Sequence, residues 1–142
     1  MVTKMKKLFV LLTSTLLFAC LSGPSLDQLA AQMPKDNRSV MLQVPEAGNP
    51  VSNGMLVATI RTAGGTSGKR LVSLLATDNL HIGIAGNSQS VNKAVAMYGL
   101  NNAEKVGKDV SLYLVGDSES DKADLEKAAK AKNVEMHYIM QK

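Results

Sequence analysis

The chain has 142 residues, enough for one domain, with 16 lysines and arginines against 12 aspartates and glutamates. Lys4, Lys6 and Lys7 supply most of that surplus at the N-terminus, so the remainder is close to neutral and offers no basic surface for nucleic acid. Tryptophan is absent and both phenylalanines, Phe9 and Phe18, fall among the first twenty residues; with only Tyr98, Tyr113 and Tyr138 beyond them, binding through aromatic stacking on bases or sugars is disfavoured and the core must be aliphatic.

Behind the lysines runs an apolar segment, Leu8 to Ala19, broken only by Thr13, Ser14 and Thr15. A basic stretch followed by a short apolar one is the pattern of a secretory signal. The run is shorter than the ~20 apolar residues that a membrane-spanning helix needs. It ends in Leu17-Phe18-Ala19-Cys20. This tetrapeptide resembles the lipobox of bacterial lipoproteins, with leucine three places before the cysteine and a small residue directly before it. Phe18 stands where that family usually has a small residue. Cys20 is the only cysteine, so an internal disulfide is impossible.

The resemblance covers residues 1–20 alone. It implies a signal peptide over 1–19, cleavage before Cys20, a diacylglyceryl thioether on its sulfur, and a further acyl chain, such as palmitate, on the new amino group. At ~0.8 kcal/mol per buried methylene, several chains make a durable membrane anchor. In Gram-negative lipoproteins an aspartate after the cysteine favours the inner membrane. Leu21 at that place implies the periplasmic face of the outer membrane, with the inner membrane as the alternative.

Residues 20–38 read as the lipidated cysteine and a flexible tether, with a short helix opening near Ser25-Leu26-Asp27 and ending at Pro34. The domain proper is expected over 39–142. Ser39–Val44 is a strand candidate, and Pro45–Gly54 is rich in turn residues. Met55–Ile60, His81–Ala85, Val110–Val115 and Val134–Ile139 are runs of strand length. Helical patterns separate them: Leu71, Leu74 and Leu75; then Val91, Ala94, Val95 and Tyr98; then Leu125, Ala128 and Ala129. Residues 69–77 also fit a strand. The alternation predicts an α/β fold of two or three layers, with a mostly parallel sheet of four to five strands and three helices. The strand segments are evenly spaced but share no residue pattern, which argues against an internal repeat.

Three glycine-containing junctions follow predicted strands: Ala63–Gly68, Gly86–Ser90 and Gly116–Ser120. A parallel sheet would gather them at the carboxyl edge, where open α/β folds bind ligands and helix N-termini favour anions. This makes Thr66, Ser67, Lys69, Asn87 and Ser88 the candidate binding residues, with a small anionic ligand as the expected occupant. The same turns also suit plain helix capping. Gly64–Arg70 resembles a phosphate-binding P-loop, but Ala63 and Arg70 occupy the places of its first glycine and last serine or threonine. Asp117, Glu119 and Asp121 lack the glycine and glutamate of a calcium loop, and Ser118 with Asp121 fits a helix cap better.

His81 and His137 have no neighbouring metal ligand in sequence, and the methionines beyond the signal are scattered as core fillers. No catalytic constellation, metal site or cofactor motif is visible. The expectation is a non-enzymatic structural or interaction module of the cell envelope, anchored to the membrane through Cys20 and meeting an envelope protein partner. The alternative is a periplasmic anion binder using the junction loops.

Overall fold

The structure, a computed structural model, describes residues 26–45 and 49–141; the expected signal peptide, Cys20 and the chain up to residue 25 lie outside the described residues. A short helix over residues 26–32 (α1) precedes strand β1 (Ser39–Gln43). Two helices follow, α2 (Pro50–Ala63) and α3 (Gly65–Leu75). Then come β2 (His81–Ala85), α4 (Gln89–Asn102), β3 (Ser111–Gly116), α5 (Glu119–Ala131) and β4 (Glu135–Met140). The fold is α/β, and its four strands are all parallel, in the order β1-β2-β3-β4.

Each strand is therefore reached from its neighbour by a crossover, and crossovers of one hand place their helices on one face of the sheet. The packing shows this. Leu42, Ile82, Ile84, Leu112 and Leu114 point into a core with Ile60 of α2, Leu71 and Leu75 of α3, Val95 and Leu100 of α4, and Leu125 of α5. The alternate strand residues Met41, Ala85, Tyr113, Val115 and Ile139 face the other way. There they meet Leu29 of α1 and Met33 just beyond it. Gly83 permits this approach: a Cβ at residue 83 would stand 2.5 Å from the Met33 Sδ and 3.1 Å from the Leu29 Cδ2.

Four of the expected strands form in place. Met55–Ile60 does not: it is the middle of α2. A short, uncharged run fits a buried helix as well as a strand, and periodicity alone does not separate them. The deciding signals lie upstream, in residues that read as a turn. Asn49 caps the helix, its Oδ1 accepting from the Ser52 N–H at 2.9 Å, and Pro50 occupies the first helical turn. Residues 69–77 resolve as helix up to Leu75. Gly64, at φ +83°, supplies the left-handed turn between α2 and α3.

The described part of the tether expected over 20–38, from residue 26 onward, is not a flexible linker. Leu26, Leu29 and Met33 are buried, so residues from 26 onward belong to the domain, held by apolar surface that a flexible linker would leave in water.

The strand register also brings out a local likeness between two segments that reading the sequence alone did not show. In the β2–β3 register His81 pairs with Ser111 and Ile84 with Leu114, so residues 79–90 and 109–120 are equivalent. Aligned this way they read Asn-Leu-His-Ile-Gly-Ile-Ala-Gly-Asn-Ser-Gln-Ser and Asp-Val-Ser-Leu-Tyr-Leu-Val-Gly-Asp-Ser-Glu-Ser. Asn79, Asp109 and Asn133 each stand two residues before a strand with positive φ. Asparagine and aspartate tolerate that conformation better than other non-glycine residues. The shared pattern is one of residue class more than identity, which hides it until the register is known.

Two expectations follow for stability. Leu114 is 2% exposed on a strand flanked on both sides, so Leu114→Asp should cost at least about 3 kcal/mol in a denaturant titration. Gly83→Leu should instead release α1 alone: limited proteolysis should cut within residues 26–33 while the far-ultraviolet dichroism of the sheet and other helices persists.

Candidate functional site

At the carboxyl edge the turns after β2 and β3 are built alike. The Ser88 Oγ accepts from the Val91 N–H at 3.4 Å, and the Ser118 Oγ accepts from the Asp121 N–H at 3.2 Å. Both serines are helix caps. Side chains then tie the turns together. The Gln89 Oε1 accepts from the Asp117 N–H at 3.1 Å, while its Nε2 donates to the Gln141 Oε1 at 3.3 Å. The Ser118 N–H donates to the Tyr138 hydroxyl at 3.1 Å. Asn92 is buried beneath the β2–α4 turn, where its Nδ2 donates to the Gly86 carbonyl at 2.9 Å. Its Oδ1 is turned against Gly86 without a hydrogen-bond partner.

This wiring has a chemical consequence. Four of the N–H donors that an anion would use at these turns, those of Val91, Asp117, Ser118 and Asp121, already have acceptors within the protein. The cation closest to them is engaged as well. The Lys93 ammonium donates to the Asp121 Oδ1 at 2.8 Å and the Asp124 Oδ2 at 3.0 Å, bridging α4 to α5. Those two hydrogen bonds raise the Lys93 pKa above its ordinary value, against a smaller opposing effect of burial.

The structure does not bring the predicted ligand residues together. Asn87 and Ser88 are at the carboxyl edge, in the β2–α4 turn. Thr66, Ser67 and Lys69 lie in the first turns of α3, which follows another helix and no strand. The glycines beside them, Gly64 and Gly68, pack on Tyr98. Ten residues of α4, about 15 Å of helix, separate Tyr98 from Ser88. Misreading α2 as a strand moved this loop to an edge where it does not belong. The P-loop likeness fails for the same reason, since a phosphate-binding loop connects a strand to a helix. Two shallow grooves lie elsewhere. One, of about 450 Å³, is lined by Glu126, Lys130 and Glu135 among others; the other, of about 470 Å³, is lined by Lys108, Asp109 and Lys132 among others.

The face of the sheet opposite the four helices holds a polar group that strand-by-strand reading missed. Tyr113 is buried, and the His137 ring stacks on it with centroids 4.4 Å apart and planes 6° from parallel. His81 meets Tyr113 edge-on at 6.4 Å. The His137 Nε2 lies 3.1 Å from the Glu135 Oε1, and the His81 Nδ1 is buried without a hydrogen-bond partner. His81, Tyr113 and His137 occupy alternate positions on three adjacent strands, so the pleat turns them to one side. Only the strand register places them together. Among the described residues, no three His, Cys, Asp or Glu side chains gather as metal ligands. His137 and Glu135 are the members of this group with exposed side chains, while Tyr113 and the His81 Nδ1 are buried.

Burial raises the pKa of both Tyr113 and Tyr138; acidic neighbours add to this, while the Ser111 hydroxyl at Tyr113 and the Ser118 N–H at Tyr138 oppose it. The folded state therefore holds these protons more tightly than the unfolded state. Their contribution to stability is present below the ordinary tyrosine pKa of about 10 and is lost as pH rises through the raised values. Phenolate absorbance should show two ionisations above the ordinary value, one disappearing in Tyr113→Phe and the other in Tyr138→Phe. Comparison of the chain with protein-family models, with curated proteins and with solved structures finds no match.

Proposed function

We propose that this is a lipid-anchored envelope protein of the periplasmic face of the outer membrane, whose α/β domain is a non-enzymatic interaction module. The observation that carries the anchor is Leu17-Phe18-Ala19-Cys20 at the end of a short apolar segment behind three lysines, with Cys20 as the chain's sole cysteine. Among the described residues no helix is long and apolar enough to cross a membrane.

The geometry supports an interaction module over an anion site. The candidate residues lie in separate places, α3 and the β2–α4 turn, and the carboxyl-edge donors named above are engaged within the protein. The opposite sheet face, by contrast, presents His81, His137 and Glu135 around Tyr113 on a surface that α1 covers in part. A second envelope protein is the partner such a surface fits.

Two measurements test this. Cells expressing the protein and its Cys20→Ser variant, grown with labelled fatty acid, should incorporate label into the first only. Equal label in both would end the lipoprotein reading. His137→Ala combined with Glu135→Ala should leave the melting temperature within a few degrees, because both side chains are substantially exposed, and should weaken capture of the envelope partner by the anchored protein at least tenfold. Unchanged capture would remove this face as the interaction surface.

A further inference from the structure

We infer that the carboxyl edge of the domain rests on a zwitterionic phospholipid surface, with Val51 and Met55 of α2 as the contact; this builds on the lipid anchor proposed above. Met33, Met41, Met97 and Met136 pack in or against the two cores, and Met55 does not. Val51 is 77% exposed and Met55 68%, and these two are the exposed large hydrophobic residues of the described chain. They lie one turn apart on the same side of α2. That side continues through exposed Ala58, Thr59 and Thr62, and both threonine hydroxyls donate back to helix carbonyls, of Met55 and Ala58 respectively, at 3.0 Å. The helix carries no charge before Arg61.

The position of this surface follows from the topology. α2 begins after β1 leaves the sheet at its carboxyl end. Its far end, Gly64, packs on Tyr98, about 15 Å down α4 from the carboxyl edge. Val51 stands about 20 Å of helix before Gly64 and seven positions after Val44, whose N–H donates to the Ala85 carbonyl at the carboxyl end of the sheet.

The anchor leads to the same edge. Leu29 and Met33 pack over Gly83, Met41 and Tyr113 in the middle of the sheet and on Val115 and Ile139 toward its carboxyl end. Beyond Met33 the chain reaches the amino edge, where Ser39 donates to the Pro34 carbonyl and the His81 N–H donates to the Arg38 carbonyl. α1 thus precedes a segment that leads to the amino edge, and buried Leu26 stands one helical turn before Leu29. Only five residues, Leu21 to Ser25, separate Leu26 from Cys20. At 3.3–3.6 Å per residue they span about 20 Å at full stretch. A 14-residue helix such as α2 is itself about 21 Å long. Turning the amino edge to the membrane would use the whole reach of the tether, whereas the carboxyl edge meets it with slack.

Charge selects the lipid. Asp117 and Glu119 are exposed at this edge, and Lys93 is matched by Asp121 and Asp124. An anionic surface would be repelled, and a zwitterionic one is compatible with uncharged Val51 and Met55.

The test uses the full-length acylated protein in phosphatidylethanolamine–phosphatidylcholine vesicles. Acylation blocks the Cys20 thiol, so a cysteine introduced by Val51→Cys, Met55→Cys or Lys108→Cys takes a polarity-sensitive dye alone; Lys108 is exposed at the amino edge. The mass of Cys20 is read in each preparation. The expected result is acylated protein in which dyes at 51 and 55 shift to the blue and lose access to an aqueous quencher several-fold, while the dye at 108 changes little. Acylated protein with equal quenching at 55 and 108 would overturn the apposition and leave the anchor standing. Unmodified Cys20 would overturn both. Protection at 55 that needs no vesicles and grows with protein concentration would assign the face to a second copy and overturn the lipid contact. Stronger protection on adding phosphatidylglycerol would overturn the zwitterionic assignment.

Discussion

Parallel strands laid down in chain order, with their connecting helices all on one side, leave a sheet with a single face served by its own crossovers. The rest of this structure is a response to that constraint. β3, with a strand on each side, is buried along its whole length. The four helices build the main aliphatic core, and the second face has only what the chain supplies before β1. α1 is short, and Leu29 and Met33 reach the middle of the sheet only because residue 83 has no side chain. His81, His137 and Glu135 gather around Tyr113, which itself packs in the cluster of Leu29 and Met33. This polar group is thus a product of topology, and the aromatic ring at its centre keeps it partly dry.

The two equivalent turns at the carboxyl edge show how near-duplicate units acquire different work. Amides in the first, Asn87 and Gln89, correspond to acids in the second, Asp117 and Glu119. Gln89 uses both ends of its amide, accepting from the next unit's backbone and donating to Gln141. A carboxylate at that place could only accept. The acids of the second unit sit at the N-terminus of α5, where the helix dipole favours them and where Lys93 can reach Asp121. The amide stitches units together, and the acids stabilise the helix that ends the series.

Much of the fold was legible because four strands announced themselves by apolar runs bounded by turn residues, and because Ser88 and Ser118 signalled the helices behind them. Met55–Ile60 was misread for a physical reason: α2 is apolar on both its packed and its exposed sides, so it shows little of the amphipathic rhythm by which a surface helix is recognised. That one error displaced Thr66, Ser67 and Lys69 to the wrong edge. The face around Tyr113 was illegible for another reason. Its members are dozens of residues apart, and only strand register, which no local pattern encodes, brings them side by side.

Every strand in this sheet pairs with its neighbour in the chain, and that sets how the molecule comes apart. Structures assembled unit by unit along one direction hold each element mainly through the elements beside it. The interior β2–α4–β3 unit is supported from both sides, whereas β4 and the α1–β1 segment each have support from one. Order should therefore erode from the two ends inward, and backbone amides of β2 and β3 should be the last to exchange with solvent. In such a gradient the polar ring cluster straddles the boundary: Tyr113 stands in the slowest-opening strand and His137 in one that frays early, so the stack between them opens whenever the outer strand does.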